Sequence, residues 1–203
     1  MSKIPKRLLF DVSTHLMYIG YARGDQLKDF SIRIAQRDHA KYLIDRIDQM
    51  LKRNKLTLDR IDEIIIGVGP GSYTGLRIAV MVGKMLAYTK NMPLKTVSSL
   101  FFLTSGYQGR IAAMTDARRG NVFSAVYENG AVIMADQLRP FAEFSQTEAY
   151  QSAEAVFISE RHYEVSVPRI LERAVLVEDV HNLVPNYLRI TEAEANEHQK
   201  SKT

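Results

Sequence analysis

Residues Val68–Lys90 read VGPGSYTGLRIAVMVGKMLAYTK. Three glycines follow an apolar run and open a helix, the general plan of a loop that cradles phosphate. The details depart from each standard version. A Walker loop needs a lysine directly after its last glycine to reach the outer phosphates. Here the nearest basic residue is Arg77, already inside the helix. The dinucleotide fingerprint G-x-G-x-x-G misses by one residue, since the glycines are Gly69, Gly71 and Gly75. Its ribose-binding acid, due about 20 residues later, would fall in KNMPLK, which has none. A nucleophile elbow would place glycines where Pro70 and Thr74 flank Ser72.

The helix says more than the loop. Gly75, Ala79, Gly83 and Ala87 recur every fourth residue and line small side chains along one face. Leu76, Ile78, Val80, Met81, Val82, Met85, Leu86 and Tyr88 make the rest apolar, interrupted by Arg77 and Lys84. A helix apolar all round is expected to be buried on every side. One side would pack on a sheet, and the small-residue face would admit another helix. That helix is either the chain's own HAKYLIDRIDQML segment or one from a second molecule.

Upstream, IDEIIIGVG is a continuous apolar run, as in a strand covered on both faces. HAKYLIDRIDQMLKRN places Ala40, Leu43, Ile44, Ile47, Met50 and Leu51 at helical spacing. The beginning, RLLFDVSTHLMYIGYARGDQLKDFSIRIA, reads as a strand ending at Asp11, a polar loop, a returning strand, a Gly24-Asp25 turn and a third strand. MPLKTVSSL reads as a strand and a helix start capped by Ser98 or Ser99.

RIAAMTDARRGNVFSAVYENGAVIMADQLRP then repeats the opening pattern. Asp11 to Gly24 and Asp116 to Asn129 are the same distance along the chain, and Gly20 and Ala125 hold matching positions. Two related α/β lobes are therefore expected, 1–100 and a smaller 101–203. In the second, FAEFSQTEAYQ reads as one short helix, AVFIS and RAVLVED as strands, and the polar end as a frayed tail.

Hydrophobic residues form 46% and charged ones 25% of 203 residues, the balance of a globular protein. There is no cysteine, so thiolate and disulfide chemistry are excluded. The five histidines include no i,i+4 pair and no H-E-x-x-H, so no metal site is predicted; His39 reads as a capping or surface residue. The net charge of +4 reads as a solvated surface, with PKR and ARR the longest basic patches. The apolar run at the N-terminus is too short for a signal peptide and none elsewhere suits a membrane span, so a cytoplasmic protein is expected.

The stretch from Ile61 to Leu100 closely resembles the signature region of the TsaB (YeaZ) family. LLFDVST resembles that family's strand ending in D-x-S-T, His39 falls where it commonly opens the first helix with histidine, DARRGNVF resembles its D-A-R-R-G loop, and VPNYLR its closing P-x-Y-L-R. The resemblance implies an α/β, two-lobed fold of the actin-like, sugar-kinase and Hsp70 type (ASKHA). Here the second lobe is shortened, with Ser159–Asn182 trimmed. It implies a non-catalytic scaffold for making threonylcarbamoyladenosine on tRNA. Such a chain docks to the TsaD transferase, works beside the TsaE ATPase, pairs with itself when alone and reaches tRNA only through the complex. TsaD-like proteins hold a metal through two histidines four apart, a pair this chain lacks.

On this reading the glycine loop is a turn launching an interface helix. Helices 40–53 and 75–90 would meet the partner through Leu43, Ile47, Met50, Gly75, Ala79, Val82, Gly83 and Leu86. Ala79→Leu or Gly83→Leu would then weaken pairing by roughly 1–3 kcal/mol. No cofactor is required by this chain, while ATP or ADP is allowed in the complex. Asp11, Ser13 and Thr14 keep the residue types that wrap nucleotide phosphates in the wider fold, and form either a vestigial nucleotide site or a self-bonded turn. Two alternatives stand beside the scaffold: an ASKHA-type ATPase or peptidase acting alone, and direct RNA binding through Arg118 and Arg119.

Overall fold

The computed structural model describes residues 3–34 and 39–188. The first sheet holds β1 (Lys6–Asp11), β2 (Leu16–Arg23), β3 (Gln26–Ile34), β4 (Glu63–Gly67), β5 (Leu94–Val97) and β10 (Val175–Leu176), in the order β10-β5-β4-β1-β2-β3. The second holds β6 (Arg110–Asp116), β7 (Asn121–Glu128), β8 (Ala131–Pro140) and β9 (Glu154–Phe157), in the order β8-β7-β6-β9.

The repeat in the sequence is a repeat in topology. In each sheet a three-strand antiparallel meander begins at a strand ending in aspartate, and that strand also pairs in parallel with a fourth. Gly20 lies opposite Leu9, two residues before Asp11, and Ala125 opposite Ala113, three before Asp116, so the matched small residues sit one register position apart.

Strand alternation explains the apolar runs. Leu8 and Phe10 of β1, with Ile64 and Ile66 of β4, face α1 (His39–Arg53) and α2 (Tyr73–Lys90). Leu9 and Ile65 point the other way, into a core shared with α3 (Ser99–Thr104), α6 (Val167–Arg173) and the inner face of the second sheet. With both faces covered, period-2 alternation merges into a continuous run. On the far side of the second sheet, Ala112 and Met114 meet Phe144 beneath α4 (Phe141–Phe144) and α5 (Glu148–Gln151). FAEFSQTEAYQ is thus two four-residue helices rather than one. Ser98 caps α3, its Oγ accepting from Phe101 N–H at 3.3 Å.

The division at residue 100 does not separate the chain cleanly. After α6 the chain crosses back, and RAVLVED supplies only the two-residue β10, which pairs antiparallel with β5. Beyond it, Asn186 N–H donates to Val68 O at 2.7 Å and Lys84 Nζ to His181 O at 2.5 Å. The physical reason is the outer edge of β5, whose backbone groups need a partner. The second lobe is correspondingly short: four strands and two four-residue outer helices, against α1 and α2 of 15 and 18 residues. The tail after residue 188, Arg189 of the closing motif and the side chain of His39 lie outside the described residues.

Helix α1 ends with Lys55 in the left-handed region at φ 54°. Leu56 N–H donates back to Leu51 O at 2.8 Å, the Schellman arrangement. A side chain there costs roughly 1 kcal/mol, and Lys55 is exposed. Lys55→Gly is expected to raise stability by roughly 0.5–1 kcal/mol. Urea titration checks it, and a midpoint that falls would contradict it.

Candidate interaction surface and the closed aspartate loop

β1 carries Asp11 to the carboxyl end of the first sheet, where Oδ1 accepts from the Ser13 amide at 2.8 Å and the Ser13 hydroxyl at 2.6 Å. Both residues are buried, while Thr14 is half-buried and its Oγ1 accepts from Leu16 N–H at 3.0 Å. This is a self-bonded Asx turn. The glycine loop closes over it. A Cβ on Gly67 would fall within 3.0 Å of Asp11 Oδ2, one on Gly71 equally close to Ser13 O, and one on Gly75 to Val12 O. Ser72 N–H donates to Ser13 O at 2.6 Å. The glycines therefore permit close backbone contact with the aspartate loop.

Asp11 Oδ2 is buried with no hydrogen-bond partner among the described residues. Burial pushes the Asp11 carboxyl above its ordinary pKa of 3.8, opposed in part by the Ser13 hydroxyl, the neighbouring Ser99 hydroxyl and the Ser13 amide. The Ser99 oxygen accepts from Gly69 N–H at 2.9 Å, which leaves its O–H as a donor beside the carboxyl. A carboxyl whose folded pKa is raised stabilises the fold fully only below the unfolded value, and that stability is lost as pH rises through the folded value. Asp11→Asn is thus expected to match the parent chain in acid and to exceed it by about 1 kcal/mol at neutral pH. Thermal melts from pH 4 to pH 8 read this. A variant that loses ground as pH rises would mean that the anion has a partner in solution, and would restore the nucleotide reading.

Helix α2 starts at Ser72, whose Oγ accepts from Gly75 N–H at 3.4 Å, and ends at left-handed Asn91. Gly75, Ala79, Val82, Gly83 and Leu86 are buried in the chain's own core, as are Leu43, Ile47 and Met50 of α1. A Cβ on Gly83 would touch Ile66 at 3.1 Å and Leu94 at 3.4 Å, so the small-residue stripe lies on β4 and β5. This corrects the expected interface: all eight residues lie in the core, the small ones of α2 because they let that helix sit close to the sheet. Nor is α2 buried all round. Tyr73, Met81, Met85 and Tyr88 are exposed, Met81 by 62% and Tyr88 by 69%. They lie with Arg77 and Lys84 on one arc at spacings of three and four. On α1, Ile44 also faces out, at 49%. Sequence reasoning missed this arc, because the apolar positions around Arg77 and Lys84 outweighed those two charges.

The arc is bordered by the returning chain. Tyr187 stacks on Tyr73 with ring centroids 4.8 Å apart, and Lys84 Nζ also reaches Leu183 O at 3.2 Å. Between helix and return lies a groove of about 810 Å³.

Two comparisons with known sequences bear on this arrangement. The family model described as "TsaD: tRNA N6-adenosine threonylcarbamoyltransferase" matches residues 33–194. The protein named "tRNA threonylcarbamoyladenosine biosynthesis protein TsaB" from Bacillus subtilis is 30% identical over 219 aligned residues, covering 93% of this chain and 96% of that one. The chain belongs to the TsaB family. Among solved structures, YeaZ from Pseudomonas aeruginosa superposes with a TM-score of 0.62 at 28% identity over 68% of each chain. A second, described as an uncharacterized protein with similarity to peptidase YeaZ from Pseudomonas aeruginosa, reaches 0.75 at 23% identity over 92% of this chain and 100% of that one. The two-lobed actin-like fold is therefore present.

In this TsaB-family chain the second aspartate loop mirrors the first but stays open. Asp116 Oδ1 accepts from Arg118 N–H at 2.8 Å, the same two-residue relation as Asp11 with Ser13. Arg118 and Arg119 are exposed, with φ of 64° and 53°. Among the described residues, no three His, Cys, Asp or Glu side chains gather to hold a metal ion, and no helix is long and apolar enough to cross a membrane.

Proposed function

We propose that this TsaB-family chain serves tRNA threonylcarbamoyladenosine biosynthesis as a non-catalytic subunit that docks to a TsaD-like transferase through the exposed arc of α2. The observation that carries it is that arc: Tyr73, Met81, Met85 and Tyr88 stand on one side of a helix whose other side is locked into the sheet. A rigid helix presenting large apolar side chains suits helix-to-helix docking, and methionines adapt to a partner's contours. The sealed Asp11 loop supports a non-catalytic role, because its one strand-end carboxylate is spent on an internal turn. The same arc serves self-pairing when the transferase is absent, so the two partners compete. A TsaE-like ATPase, any ATP or ADP, and tRNA belong to the assembled complex.

Light scattering on a sizing column tests this, with the chain alone and mixed with the transferase of the same organism. A self-dimer replaced by a one-to-one complex is the expected result. A chain that stays monomeric and ignores the transferase would overturn the docking reading.

A further inference from the structure

We propose that the cavity between the two lobes is a binding site for a small zwitterion of the aliphatic amino-acid class, its ammonium group set against Asp136 and its carboxylate against Arg173. The cavity holds about 450 Å³, within the range of sites for single small molecules. It opens at the carboxyl ends of β4 and β5, where ligands of open α/β sheets bind. Four elements bring its polar groups together: Ser98 ahead of α3, Tyr127 on β7, Asp136 on β8 and Arg173 at the end of α6.

Their geometry suits a dipolar guest. The Tyr127 hydroxyl donates to Asp136 Oδ1 at 2.8 Å and lies 3.2 Å from Ser98 Oγ, so the carboxyl is held in place from one side. The Arg173 guanidinium lies 5.0 Å over the Phe101 ring and gives one N–H to Gly130 O at 3.1 Å. A guanidinium has five such donors. Asp136 and Arg173 are near enough to influence each other's charge, yet among the described residues they form no ion pair. Asp136 is half-buried and Arg173 exposed, so a guest entering from solvent can reach both charges. Held apart across a cavity, they match the two ends of a zwitterion.

The environment of each charge narrows the class. Burial pushes the Asp136 carboxyl above its ordinary pKa of 3.8, despite the Ser98 and Tyr127 hydroxyls and the charges of Arg173 and Arg139. An ammonium group within hydrogen-bond reach would offset that burial. Polyphosphates fit poorly, because Arg173 is the sole basic side chain of the lining and Asp136 would repel them. Val68, Val132 and Val175 form apolar walls suited to a short aliphatic side chain.

Calorimetric titration of the full chain with valine and leucine tests the site, with isobutylamine and isovalerate as probes bearing one charge each. The expected result is binding of an amino acid, with both single-charge probes weaker by at least ~10-fold. Asp136→Asn and Arg173→Gln should each weaken binding by a similar factor. If Arg173→Gln fails to fold, Val132→Phe, which narrows the cavity from β8 and keeps both charges, serves in its place and should weaken binding at least as much. No heat of binding for either amino acid at millimolar concentration would overturn the proposal. So would binding that survives Asp136→Asn and Val132→Phe, or an isobutylamine affinity equal to that of the amino acids. None of these results bears on docking to the transferase.

Discussion

Gly75→Ala is expected to destabilise the chain by more than ~3 kcal/mol, or to prevent folding outright. Local preference points the other way, since alanine is favoured over glycine inside a helix by about 1 kcal/mol. The sign reverses because the added methyl group would fall within 3.0 Å of the Val12 carbonyl oxygen. That oxygen belongs to backbone, which cannot swing aside as a side chain does. Moving α2 away would break the 2.6 Å bond from Ser72 N–H to Ser13 O and uncover Asp11. Gly83→Ala is the internal control. Its new Cβ would meet the tip of the Ile66 side chain at 3.1 Å, which can yield, so the cost is expected to stay below ~1 kcal/mol. Urea denaturation of both variants is decisive. A Gly75→Ala chain as stable as Gly83→Ala would show that the glycine loop does not clasp the aspartate loop in solution.

Met81→Asp should weaken binding to the transferase by roughly 30- to 100-fold while leaving the fold intact. Met81 is 62% exposed in the free chain, so a carboxylate there remains hydrated until docking buries it. Burial would then strip water from an unpaired charge in an apolar seam. Asp within a helix costs only about 0.5 kcal/mol, so the melting temperature should hardly move. Tyr88→Asp is expected to act in the same way. Ala79→Leu and Gly83→Leu now probe something else: both sites face the sheet, so overpacking them should lower stability before it touches binding. Surface titration of the four variants separates the two faces. Wild-type affinity in Met81→Asp and Tyr88→Asp would remove the arc as the docking surface.

The strands and their repeat were legible because the cues are local. Gly24 and Asn129 mark turns, and Asp11 and Asp116 end strands at matching places. The apolar run of β4 announced a strand covered on both faces, as Ile64, Ile65 and Ile66 are. Ser98, one of two candidate caps, announced the start of α3. The eight residues expected at an interface are core for a definite reason. Four-residue spacing says which side chains share a face of α2, but not whether a sheet or another helix lies opposite. Gly83 and Ala79 permit close approach to either, and Ile66 and Leu94 occupy the place.

By itself the sequence determined the order of elements as far as β8, the two aspartate-ended meanders and the family, since each rests on residues near one another along the chain. Tertiary structure alone decided which face of α2 is wet, that the glycine loop seals Asp11, and that the chain returns to β5 after α6. It also decided that Ser98, Asp136 and Arg173 border one cavity. Periodicity and turn chemistry act over a few residues, whereas burial, desolvation and close backbone approach depend on what the rest of the chain places opposite.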